Sequence, residues 1–93
     1  MNANKLSDKH RRETLLKMWN ELVDEYFKLY NMIIRKYDNE LDITMRIFTW
    51  KVLEMSDNIK EAETKRLLYA ISYLQNLNEN LKKLVSNNGN SKG

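Results

Sequence analysis

The residues able to do chemistry in this chain are few, and their spacing argues against most of the chemistry they could do. The single histidine, His10, sits among Lys9, Arg11 and Arg12. A catalytic or structural metal site needs several ligands at fixed spacing, such as two His one helical turn apart. No second His exists, so His10 reads as a solvated surface residue. Glu21, Asp24 and Glu25 fall within one turn and could face a cation, but the Glu-x-x-His partner of a di-iron bundle is missing. Asp38, Glu40 and Asp42 lack the glycine and the twelve-residue ligand pattern of a calcium loop, and turn chemistry accounts for them. There is no Cys, and the only glycines are Gly89 and Gly93. Thiolate nucleophiles, disulfide frameworks and Gly-rich phosphate cradles are therefore excluded. The Ser, Thr and Tyr hydroxyls have no identifiable base beside them. The expectation is a protein that is not an enzyme and uses no cofactor and no metal.

Two groups remain. Lys5, Lys9, Arg11, Arg12 and Lys17 concentrate positive charge near the start, against only Asp8 and Glu13. They are the nucleic-acid candidates, since phosphate contacts come from such clusters. The next stretch, 19–42, has six acidic and three basic residues. The net charge of +3 thus describes a mixed surface more than a continuous basic track. The nine aromatics are the more informative group. Trp and Tyr are enriched at protein interfaces because they bury area and keep a polar handle. Trp19, Tyr30, Tyr37, Trp50, Tyr69 and Tyr73 are the candidate interface residues.

These side chains need elements to hold them. At 93 residues, with 42% hydrophobic and 31% charged residues, the chain is one small globular domain. Leu15, Trp19, Leu22, Tyr26, Leu29 and Ile33 step by four and three, which is one helical stripe. Leu16, Val23, Phe27, Tyr30, Ile34 and Tyr37 make a second stripe beside it. A first helix is expected over 8–37, capped by Ser7 or Asp8. The cluster Asp38–Asp42 breaks it, and Asp38 or Asp42 would cap the next element. Residues 43–55 carry two periods at once. Leu41, Ile43, Met45 and Ile47 alternate like a strand, while Met45, Phe48, Val52 and Met55 step like a helix. A lone strand has no partner for its backbone, so a helix is expected. Ser56-Asp57-Asn58 forms a second break, with Asn58 and Glu61 at capping-box spacing. A last helix over 58–86 presents Leu67, Ala70, Leu74, Leu77, Leu81 and Leu84 as a heptad seam.

The expected fold is all-α. It is a three-helix bundle with long helices over 8–37 and 58–86, a shorter one over 43–55, a flexible start over 1–7 and a disordered polar tail over 87–93. A dimer or a partner would complete it. No stretch is apolar enough to span a membrane, no signal peptide is legible, and cysteine-free composition fits a reducing compartment, so a cytoplasmic protein is expected. The broad apolar arcs suggest a helical accessory subunit or adaptor that binds a larger protein or a second copy of itself. A place in nucleic-acid machinery such as a DNA polymerase complex would fit the basic start. A dimeric nucleic-acid-binding regulator is the alternative, and an immunity- or antitoxin-type inhibitor a lesser one.

Overall fold

The computed structural model describes the backbone of residues 2–90 and the side chains of residues 9–86. Three helices follow one another: α1 (Asn2–Lys36), α2 (Asp42–Ile59) and α3 (Thr64–Asn90). Among the described residues there is no strand. α1 and α3 pack along each other as the principal contact, and α2 lies against both through a much smaller one. The molecule is elongated, 58 × 26 × 16 Å, as a bundle built on two long helices must be.

The core is the set of stripes anticipated from the sequence. Leu15, Trp19, Tyr26, Leu29 and Ile33 of α1 are buried with Leu67, Ala70, Ile71, Leu74, Leu77 and Leu81 of α3. Met45, Val52 and Ile59 of α2 close the third side at intervals of seven residues. The second α1 stripe, from Leu16 to Tyr37, is half-buried around this core.

The strand-like alternation at 41–47 has a simple cause. Met45 points into the core while Ile43 and Ile47, one turn apart, lie on the opposite side of the same helix. A helix apolar on two faces reads locally as period two.

Several boundaries differ from expectation. The helical backbone of α1 begins at Asn2, ahead of the anticipated cap at Ser7 or Asp8. α3 runs to Asn90, so the backbone is helical over much of the stretch assigned to the polar tail; residues 91–93 lie outside the described residues. α2 starts with Leu41 in the cap position and no side-chain cap. Asp42 instead pairs with Arg46 one turn on, at 3.1 Å.

The break between α1 and α2 falls where the acidic cluster placed it. Asp38 and Asn39 adopt left-handed φ values of 50° and 69°. Their short polar side chains tolerate that region better than other non-glycine residues do. The second break moves. α2 continues through Ser56, Asp57 and Asn58, and the turn forms at Lys60–Glu63. The Asn58 amide donates back to the Glu54 carbonyl at 3.0 Å, so it serves the interior of α2 and caps nothing. Burial of Ile59 carries the core stripe one turn further and keeps the helix intact.

One polar residue lies in the α1–α3 seam. Asn78 is buried, and its amide donates to the Leu22 carbonyl at 3.1 Å and to Glu25 Oε1 at 3.2 Å. Lys82 holds the other Glu25 oxygen at 3.0 Å. The Asn78 Oδ1 has no partner. A buried orphan acceptor costs about 1–3 kcal/mol, which cancels much of what the two donated bonds contribute. Asn78→Leu should therefore change stability by less than about 1 kcal/mol, whereas Leu74→Ala nearby should cost about 2–5 kcal/mol. Urea unfolding of the two variants measures the contrast. An Asn78→Leu loss as large as the Leu74→Ala loss would show that the polar network dominates the seam.

Candidate protein-binding face

Several of the candidate side chains are held in polar links between the helices. Trp19 was expected at an interface and is instead a core residue, 1% exposed, with Nε1 donating to Ser56 Oγ at 3.1 Å. Ser56 lies within α2 and accepts that bond. The Tyr26 hydroxyl lies 2.8 Å from Thr49 Oγ1 and 3.3 Å from the Met45 carbonyl. These bonds orient α2 on α1. Tyr37 is half-buried and its hydroxyl donates to the Leu84 carbonyl at 3.1 Å, a carbonyl that Lys36 also reaches at 2.8 Å. Tyr30 is half-buried in a ring cluster with Tyr26 and Phe27. Tyr73 is half-buried against the core. Of the six aromatic candidates, only Trp50 and Tyr69 stand out into solvent, 63% and 69% exposed.

Among the described residues the basic candidates do not share one face. Arg12 turns inward and donates from both terminal nitrogens to the main-chain carbonyls of Lys60 and Ala62. It closes the α2–α3 turn, which has no glycine, proline, asparagine or aspartate of its own. Lys9, Arg11 and Lys17 are exposed. At about 100° per residue, Arg11 and Lys17 point about 120° apart around α1. The Lys5 side chain lies outside the described residues.

The carboxylates are similarly dispersed. Among the described residues no cluster of three or more His, Cys, Asp or Glu side chains is placed to hold a metal ion. Glu25 is engaged by Lys82 and Asn78, while Glu21, Asp24 and His10 face solvent. One surface cleft, about 880 Å³, is an open trough between α2 and α3. Lys51, Glu54, Glu63 and Arg66 contribute both signs of charge to its walls, beside Tyr69. That lining offers no convergent set of groups for one small ligand.

What the arrangement does offer is an apolar face. Ile43, Ile47, Trp50 and Leu53 are 75%, 61%, 63% and 49% exposed. They step by four, three and three along α2, on the side opposite Met45 and Val52. Fractions of that size on one Trp and three large aliphatic residues leave roughly 500 Å² bare, in the range where exposed patches are often functional. Only Trp50 of this set stood out in the sequence. The signal for Ile43 and Ile47 was present in the strand-like alternation, which assigned them to a period and to no surface. Met32 on α1 and Leu68 on α3 are exposed singly and form no such row.

Burial also perturbs two phenols. The Tyr26 pKa is raised, chiefly by loss of solvent and despite its bond to Thr49. Desolvation likewise raises the Tyr73 pKa. The exposed Lys82 ammonium is pushed up by its bond to Glu25.

Comparison of the chain with protein families, with curated proteins and with solved structures finds no match.

Two outcomes follow from these contacts. Arg12→Ala should destabilise the fold by about 1.5–3 kcal/mol by leaving two turn carbonyls without a charged donor. Arg12→Lys should recover less than half of that, because one ammonium cannot replace a fork. Thermal melts of both variants read this, and an Arg12→Ala variant as stable as the parent contradicts it. A phenol with a raised folded-state pKa holds its proton more tightly in the fold than in the unfolded chain. The stability linked to it is complete below the unfolded value and falls as pH rises through about 10. Melting temperature should therefore drop above that pH, and Tyr26→Phe should flatten the drop. An unchanged slope in Tyr26→Phe would assign the loss to other groups such as Lys82.

Proposed function

We propose that this chain is a non-catalytic helical accessory subunit that acts by binding protein across the outer face of α2, its partner a larger protein or a second copy of itself. One observation carries the reading. α2 is apolar on both sides, and the packing of α1 and α3 covers only one of them. Keeping Ile43, Ile47, Trp50 and Leu53 in water gives the isolated chain no stability, whereas burying them against a partner contributes about 25 cal/mol for each Å² of apolar surface. Trp50 near the middle of the row is the residue type that most often dominates such contacts.

The dispersed basic side chains and the use of Arg12 in the turn favour protein over nucleic acid as the direct partner. A link to nucleic-acid machinery would then run through the bound protein.

The test is affinity capture from the native source with the parent chain and with Ile47→Ser and Trp50→Ser. The parent should retain a stoichiometric partner, heterologous or self, and each variant should lose at least about tenfold of it while keeping its helical spectrum. Capture that is indifferent to both substitutions would reject this face. A mobility shift of a nucleic-acid probe that disappears in Arg11→Glu/Lys17→Glu would instead establish direct binding.

A further inference from the structure

We infer that the outer face of α2 pairs with the same face of a second copy of this chain, antiparallel, with the two-fold axis passing beside Trp50. This rests on the reading of α2 as a protein-binding face and names the protein. The argument is the order of charges along the exposed row. Arg46 stands in its N-terminal half, between Ile43 and Ile47, 74% exposed at its side chain. Glu54 and Asp57, both exposed, stand at its C-terminal end. A parallel pair would stack Arg46 on Arg46 and Glu54 on Glu54. An antiparallel pair centred on Trp50 sets Arg46 of each copy opposite Glu54 of the other, because both lie four residues from the centre. The same operation sets Ile47 opposite Leu53 and brings the two Trp50 rings together at the axis.

The rest of the surface agrees with this arrangement. Ile43 reaches the last turn of the partner helix beside Asp57, so the apolar contact is concentrated over Ile47, Trp50 and Leu53. Arg46 already bonds Asp42 in its own chain at 3.1 Å, and an exposed guanidinium has donors left for a second carboxylate. Asp42 lies at the N-terminus of α2, where its charge suits the helix dipole. Antiparallel helices also oppose their dipoles. The face meets no obstruction from its own chain, since α1 and α3 both lie on the other side of α2. A symmetric pair would cover roughly 800–1,000 Å² in total, at the small end for a specific interface, so the dimer should be reversible.

Sedimentation equilibrium over a hundredfold concentration range tests this with the full chain. The parent should move from 11.2 kDa towards twice that mass. Trp50→Ser, which alters an exposed side chain, should stay monomeric with an unchanged helical spectrum. Arg46→Glu and Glu54→Arg should each weaken the dimer by about tenfold, and the double exchange should recover it to within about threefold. That recovery is specific to the antiparallel register, and a dimer held by any other surface would not show it. A parent that stays monomeric throughout overturns the inference. If Trp50→Ser also abolishes capture of a heterologous protein, the binding face stands and only its occupant changes. A dimer that survives Trp50→Ser, or one that the double exchange fails to restore, overturns it as well.

Discussion

The packing of α1 along α3 is the interaction on which every other feature depends. Trp19, Tyr26 and Ile33 share one core with Leu67, Leu74 and Leu81, and that core runs from Leu15 to Ile33 on α1 and from Leu67 to Leu81 on α3. The two helices are long because nothing in residues 1–88 forces an early stop: there is no proline and no glycine. Once they are paired, their facing stripes are nearly satisfied by each other. α2 is left to lie on the outside of the pair, touching it with Met45, Val52 and Ile59.

The turns show the cost of a chain without the usual turn residues. The first uses Asp38 and Asn39 in left-handed conformations, which the local sequence can support by itself. The second has no such residues, and Arg12 supplies what is missing from the far end of α1, forty-eight and fifty positions away in sequence. The polar contacts of Trp19 with Ser56 and of Tyr26 with Thr49 work in the same way. In each case α1 provides a large side chain with a polar tip, and the receiving group on α2 or its turn is small or main-chain. α2 is thus oriented by directional bonds where its apolar contact is thin, which fixes the face it turns outward.

This explains how the same helix can support a fold and remain available. A helix with a single apolar stripe would be fully consumed by the α1–α3 pair. α2 carries a second row from Ile43 to Leu53, and the bonds from Trp19 and Tyr26 are made with the other row turned to the core. The charges flanking Ile47 and Leu53, Arg46 and Glu54, are oriented with it.

The sequence alone determined the all-α class, the two long helices and nearly every residue of the core. Those properties follow from periodicity, and periodicity is local: a step of three and four residues places side chains on one face whatever lies opposite. It also located the first turn, because Asp and Asn act on their own backbone. The tertiary structure alone decided the second turn, the fate of Trp19 and Arg12, and the outward face of α2. An aromatic on a stripe and an arginine in a basic run have the same sequence signature whether they end inside or outside. Residues 41–55 carry two periods, and only the position of α1 and α3 determines which apolar row is covered. That position depends on contacts between residues far apart in the chain, and no local spacing records them.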